Sequence, residues 1–428
     1  MPRALRRVIA ASAASNLADG AFTIALPLVA LSVTRSPAAF AAVTLVGRLP
    51  WLLFALPAGA LADRLDRRST MIAVNVVRAA AIGTLAVIVG SGQAELWMLY
   101  VIAFALGSGE TLFDTAAQSI LPSIVEPDQL DRANGRLYAV ELTSNQFIGP
   151  PLAAIVAGAT LAGAVAISSA LYLLAGIVLL TLAGSFRAQR AEPTTIRRDI
   201  ATGVRYLANH QLLRLLAVCV GVSNLASTAT VAILPLYIIA PGPIGLNETG
   251  YGILITTIAA GSVLGTFLVE RLRTRLGTRR LLFLATLSFP LFSLAPVASG
   301  SVIVIGTGLF VAGAVSVSWN IVTVSIRQRI VPDDLLGRVN AGYRLVAWGT
   351  MPVGAALGGI IAANYSLTTA LITSAAISAT CTPIVYFGVT TERLEQAATA
   401  YTSAPAPDPT TTASRHLLGE RYRSSGAR

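Results

Sequence analysis

The stretch Ala55-Leu-Pro-Ala-Gly59-Ala-Leu61-Ala-Asp63-Arg64-Leu-Asp66-Arg67-Arg68-Ser-Thr-Met71-Ile-Ala-Val-Asn75-Val-Val77 sets the pattern of the whole chain. It runs from an apolar segment through a short break crowded with arginine into another apolar segment. Working outward in both directions, apolar stretches of about 20 residues recur from end to end, the length that crosses a bilayer core as a helix. The breaks between them alternate in charge. Those at 91–95, 241–249, 297–301 and 363–367 hold no basic residue, and only Arg35 marks the first of that set. The others hold Arg64, Arg67 and Arg68, then Arg132 and Arg136, then five arginines between 187 and 205, five between 271 and 280, and Arg327, Arg329 and Arg338. Basic loops stay on the cytoplasmic side. The expectation is an all-α integral membrane protein of twelve spans with both termini inside a bacterial inner membrane.

Composition fits this expectation. The chain is 54% hydrophobic and 12% charged, with a mean hydropathy of +0.71, too apolar for a soluble core of this length. The net charge of +11 is accounted for by loops that meet anionic headgroups rather than by nucleic acid. The run from Val8 to about Val33 is long enough to span and shows no convincing cleavage site, so it reads as the first helix rather than a signal peptide. Cys219 and Cys381 fall inside predicted spans and read as packing residues.

Sliding the chain by 206 residues against itself superposes Gly59 on Gly265, Gly107 on Gly313, Asp114 on Asn320, Arg132 on Arg338 and Asn134 on Asn340. One residue of slip later, Gly149 to Ile155 lies over Gly354 to Ile360. Six spans separate the copies, so both keep one orientation, as in transporters built from two parallel halves around a midplane site. The expected organisation is an N-terminal half at 1–186, a linker at 187–209, a C-terminal half at 210–389 and a disordered tail at 390–428. In the linker, Ile196, Ile200, Val204 and Leu207 recur at helical spacing, which predicts an amphipathic helix lying on the cytoplasmic membrane surface.

The break at Gly59-Ala-Leu61-Ala-Asp63-Arg64-Leu-Asp66-Arg67-Arg68 resembles the signature loop of the major facilitator superfamily, with Asp66 where the second glycine of the motif stands. The copy from Gly265 through Arg271 to Gly277-Thr-Arg279-Arg280 is degraded. Residues 108–126 resemble the fourth helix of the macrolide-efflux and enterobactin-exporter group, and Gly149-Pro150 resembles part of the antiporter signature. The resemblance implies two six-helix halves and a cytoplasmic gate in which Gly59 permits close approach while Asp63, Arg64, Arg67 and Arg68 form a charge network. The alternative is that these arginines only set topology. The arginine that many drug–proton antiporters carry on helix 4 is absent near Ala103.

Ionisable groups at span depth cost on the order of 2.5–3.5 kcal/mol each and require a partner, water or a function. The first span carries Ser12, Ser15, Asn16, Asp19 and Thr23 along one stripe, and the fourth carries Glu110 and Asp114 one turn apart. With Glu141 on the fifth, these carboxylates are the proton-coupling candidates. Arg48, Arg78 and Arg344 are their candidate basic partners. The competing reading makes Asp19–Arg48 and Glu141–Arg78 structural ion pairs. Asn16, Asn145, Asn224, Trp319, Asn320, Tyr343 and Trp348 are candidates for a substrate pocket, the three aromatics serving equally well as packing.

The chain contains no lysine, so it has no phosphate-binding loop of the G-x-x-x-x-G-K-[ST] kind. No nucleophile–base set or metal-ligand cluster is legible, so neither enzyme activity, cofactor nor metal is expected. The function expected is a monomeric secondary transporter, a proton-coupled exporter of a small amphipathic molecule. The alternatives are a nutrient importer or facilitator, and a membrane signalling or assembly protein that no longer transports.

Overall fold

A computed structural model describes residues 2–126, 129–184, 186 and 196–395, excepting the side chains at 55–64, 131, 196–200, 333–334, 336–337 and 341. The described chain is helical almost throughout. In order come α1 (Arg3–Val33), α2 (Pro37–Arg64), α3 (Arg67–Gly90), α4 (Leu96–Ile120), α5 (Leu130–Leu142), α6 (Gly149–Ala159), α7 (Leu161–Leu180) and α8 (Ile196–Asn209). Then follow α9 (Gln211–Val231), α10 (Leu234–Ile238), α11 (Glu248–Ala298), α12 (Val302–Ile330), α13 (Asp333–Asn364), α14 (Leu367–Ala379) and α15 (Cys381–Gly388). Ten helical segments among the described residues are long and apolar enough to cross a membrane. α5 continues through a π-helical turn at Thr143–Ile148 into α6. α11 is two helices joined at Gly277, whose φ of +78° only glycine adopts without strain.

Local chemistry starts several of these helices. Asp66 caps α3 by accepting from the Ser69 amide at 2.9 Å, Asn247 caps α11 through the Gly250 amide, and Ser366 caps α14 through the Thr369 amide. Small residues then let helices cross closely. A Cβ on Gly20 would overlap the Asn145 carbonyl oxygen, and one on Gly149 would meet the Gly20–Ala21 backbone. The same crossing recurs between α13 and α9, where Gly354 lies against the Leu225 carbonyl, both 205 residues further along.

The apolar cores show how the two ends of the molecule differ. One core runs through Leu28–Leu31, Phe40, Ala41, Ala154, Ile233–Ile239, Tyr251, Leu254 and Ala362. It joins elements from both ends of the sequence at the end of the bundle where the breaks lack arginine. There a Cβ on Gly359 would stand 2.6 Å from that of Ala41, Gly252 lies flush against Ala154, and Arg35 Nη2 donates to the Ala240 carbonyl at 3.1 Å. Toward the arginine-rich end the cores are separate. Residues 4–186 form two clusters of their own, and residues 206–394 form two others. Cys219 and Cys381 are both buried there, the Cys381 thiol donating to the Cys219 carbonyl at 3.4 Å.

Two sequence expectations need correction. The C-terminal part of the apolar face of α8, at Val204 and Leu207, packs on protein and does not lie free on a membrane surface. Gly203 is pressed against the Arg338 carbonyl, Val204 lies beside Gly342, and Leu207, 4% exposed, packs with Leu213 and Val339. The described part of the stripe thus packs on α9 and α13, while the side chains of Ile196 and Ile200 lie outside the described residues. The segment expected to be disordered from 390 is helical at 391–395. The remainder of the tail and residues 187–195 of the linker lie outside the described residues.

Candidate functional site

The site starts from the polar stripe of α1. Ser12, Ser15 and Asn16 are buried, and the stripe turns toward α3 and α7 rather than toward lipid. Ser15 donates to Asn75 Oδ1 at 3.1 Å, while Asn16 is satisfied by the Ser12 carbonyl at 2.9 Å. One turn further along, Asp19 Oδ1 takes an ion pair from Arg78 Nη2 and a hydrogen bond from the Tyr172 hydroxyl at 2.5 Å. The Arg78 guanidinium also sits over the Tyr172 ring, 4.3 Å from its centroid. The Asp19 and Arg78 side chains are 10% and 2% exposed. Gly109 of α4 makes room for the arginine, since a Cβ there would stand 2.8 Å from Arg78 Cδ.

This arrangement replaces the pairing weighed from the sequence. Asp19 pairs with Arg78 and not with Arg48, and Arg78 is thereby taken from Glu141. The reason is rotational: residues 75 and 78 share the face of α3 that packs on α1 and α7, and the sequence does not fix that rotation. Arg48 makes no ion pair among the described residues. Tyr172, Asn75 and Gly109 were absent from the sequence-derived set. Ser168, Ser169 and Tyr172, set in an otherwise apolar run, carried the available signal.

The pair is not fully satisfied. Arg78 Nε and Nη1, Asn75 Nδ2, Ser12 Oγ and Ser168 Oγ are buried without a hydrogen-bond partner. Buried polar atoms of this kind hold water or take partners in another conformation.

Glu110, Asp114 and Glu141 make no hydrogen bond or close ion pair among the described residues, but they share one electrostatic neighbourhood. Glu110 acts on Asp19 and Arg78, and Asp114 and Glu141 act on Arg344 of α13. The Arg344 guanidinium lies 4.1 Å from the centroid of Trp348, and Trp348 meets Trp51 of α2 edge to face at 4.4 Å. α4 and α5 thus present carboxylates, and α13 presents a cation and an indole, where the two parts of the chain face each other.

The other candidates scatter. Asn224 Nδ2 donates to the Ala347 carbonyl at 2.6 Å, tying α9 to α13. Trp319 is buried 5.3 Å from Phe289 inside an apolar cluster, with its indole Nε1 lacking a hydrogen-bond partner among the described residues. Tyr343 carries Arg327 over its ring at 4.0 Å, and Asn320 is exposed. Asn145 contributes its backbone to the Gly20 crossing. In the signature loop, Arg68 donates to the carbonyls of Leu179 and Leu180 at 3.0 Å, and Arg67 donates to Ser123 Oγ at 3.3 Å. Asp66 also accepts from the Phe186 amide at 2.5 Å. These bonds all lie within residues 66–186, so Arg68 neutralises the carbonyl end of α7. The side chains of Gly59, Asp63 and Arg64 lie outside the described residues.

Residues 2–414 match the family described as transmembrane secretion effector, a major facilitator family. An uncharacterized MFS-type transporter, y4rN, of Sinorhizobium fredii is 25% identical over 379 residues, covering 83% of this chain and 87% of that protein. Macrolide efflux protein A of Streptococcus pyogenes is 27% identical over 145 residues, 34% of this chain and 35% of that protein. Among solved structures, the nucleoside transporter NupG superposes with a TM-score of 0.69 at 10% identity, over 91% of this chain and 99% of that one. A bacterial homologue of the iron transporter ferroportin, in an inward-facing state, gives 0.66 at 17% identity, over 91% and 99%. Those two likenesses establish a shared fold. The chain therefore belongs to the transmembrane secretion effector family of the major facilitator superfamily.

Proposed function

We propose that this protein is a proton-coupled exporter of a small amphipathic organic compound, built from two six-helix halves that rock about a central site. The twelve spans follow if α5, the π turn and α6 form one, α11 counts as two on either side of Gly277, and α14 with α15 form the last. The arginine-rich end is then cytoplasmic, both termini lie inside a bacterial inner membrane, and cores that separate toward that end describe an inward-facing conformer.

The single observation that carries the coupling is Asp19, held by Arg78 and Tyr172 in the body of the first half. A charged pair this buried is stable only while both charges are present. A proton delivered to Asp19 leaves the Arg78 cation unbalanced, and its open Nε and Nη1 then seek new partners. Repacking of α1, α3 and α7 is the conformational consequence. Across the cleft, ionised Asp114 and Glu141 attract Arg344, and their protonation weakens that attraction. Export is favoured over import by the stretch shared with a macrolide efflux protein and by the family description.

The test uses proteoliposomes with an imposed pH gradient and a panel containing a macrolide, a fluorescent organic cation and a nucleoside. Wild type is expected to drive at least one compound uphill in a protonophore-sensitive way. Asp19→Asn is expected to reach equilibrium exchange only. Undiminished uphill transport by that variant removes Asp19 from the coupling mechanism.

A further inference from the structure

The degraded second copy of the signature loop has a local structure of its own. Gly277 turns the chain, and the helix that restarts at Thr278 opens into a cavity of about 480 Å³ at the arginine-rich end. In the first half the corresponding helix start is filled by the Asp66 carboxylate. Here the same place is lined by Thr278, Arg279 and Arg280, and Arg329 joins them from the end of α12.

The three arginines divide the work. Arg279 donates to the carbonyls of Tyr386 and Val389 at 3.2 and 3.1 Å, fixing the end of α15 as Arg68 fixes the end of α7. Arg280 and Arg329 are exposed and make no hydrogen bond or ion pair among the described residues. Two guanidiniums beside the first turn of a helix favour a phosphate group, which accepts bidentate bonds and sits well at a helix N-terminus. Among the described lining residues Glu395 is the one carboxylate; it is exposed and engaged in an interaction of its own.

The remaining wall decides between a free anion and an amphiphile. Leu276, Ile326, Ile330 and Leu394 line the cavity beside the arginines. A small hydrated anion leaves those side chains uncovered, whereas glycerol and the first acyl carbons of a lipid cover them. Basic pockets between spans at the cytoplasmic boundary are suited to anionic headgroups. We propose that this cavity binds the headgroup phosphate of an anionic phospholipid from the leaflet on the arginine-rich side.

The experiment is native mass spectrometry of the full-length protein released from nanodiscs containing phosphatidylglycerol and phosphatidylcholine. Arg280→Ala with Arg329→Ala is compared with a charge-matched control, Arg271→Ala with Arg275→Ala, whose arginines are exposed outside the cavity. Each cavity arginine removed is expected to weaken phosphatidylglycerol retention about fivefold, and the pair about 30-fold, with less than a threefold change in the control. Equal loss in both doubles means diffuse surface attraction and overturns the site, as does full retention in the cavity variant. A parallel sample with millimolar inorganic phosphate is expected to leave lipid retention unchanged. Complete displacement there makes this a small-anion site and overturns the lipid assignment.

Discussion

The ion pair between Asp19 and Arg78 makes a quantitative prediction that does not require a known substrate. The perturbation is a thermodynamic cycle of Asp19→Asn, Arg78→Leu and the double variant. Removing one partner of a buried pair leaves the other charge uncompensated, at about 3–5 kcal/mol. With the two side chains 10% and 2% exposed, little solvent is at hand to reduce that penalty. The single variants are not equivalent. In Asp19→Asn the Arg78 cation keeps the face of Tyr172 at 4.3 Å, an interaction of roughly 1–2 kcal/mol when desolvated. Arg78→Leu leaves the carboxylate with one hydroxyl donor. Arg78→Leu is therefore expected to lose the most, Asp19→Asn about 1–2 kcal/mol less, and the double variant less than Arg78→Leu alone, with a coupling energy of at least about 2 kcal/mol. Detergent-induced unfolding followed by intrinsic fluorescence measures all four. The double variant should regain folding and still fail to couple transport to a pH gradient. Additive losses within about 0.5 kcal/mol refute the pair as an energetic unit.

Two further outcomes follow from local geometry. Gly20→Ala places a methyl group on the Asn145 carbonyl oxygen and must push α1 from the π turn, so a loss of roughly 1–3 kcal/mol is expected, whereas Gly135→Ala on α5 meets nothing within 4 Å and is expected to raise stability by about 0.5–1 kcal/mol; melting in detergent compares them, and equal effects refute the crossing. His210 caps α9 through Nδ1, which accepts from the Leu213 amide at 3.4 Å, and burial lowers its pKa below the usual histidine value. A depressed pKa means that the folded state holds fewer protons, so stability present above pH ~6.5 is lost as pH falls below it. Wild type should therefore lose thermal stability between pH 7.5 and 5 relative to His210→Asn, a cap that does not titrate, and parallel profiles would sink the assignment.

The membrane class was legible because arginine placement and apolar run length are one-dimensional signals. The buried placement of Asp19 was legible too, since Ser12, Ser15, Asn16 and Asp19 repeat on one helical face. Its partner was not, because Arg48 and Arg78 both lie in spans, and which one reaches Asp19 depends on how α2 and α3 are rotated. Tyr172 went unread, as a tyrosine in an apolar run usually packs. The stripe on α8 was assigned to lipid, whereas its described part, Val204 and Leu207, packs on neighbouring helices, since an apolar stripe fits a helix and a membrane surface equally well. Arg68 was read as part of a charge network at a cytoplasmic gate, and its described bonds go to the carbonyls of Leu179 and Leu180 at the end of α7.

The seam at the arginine-poor end brings glycine and alanine together, Gly359 on Ala41 and Gly252 on Ala154, beside the larger side chains of the core that runs through it, among them Leu31, Phe40, Leu236 and Tyr251. Such a joint holds by close contact and by burial of apolar surface. Apart from the Arg35 bond to the Ala240 carbonyl, few directional contacts resist its separation. Apolar contact of this kind is non-directional, so the joint depends on buried area rather than on a lattice of hydrogen bonds.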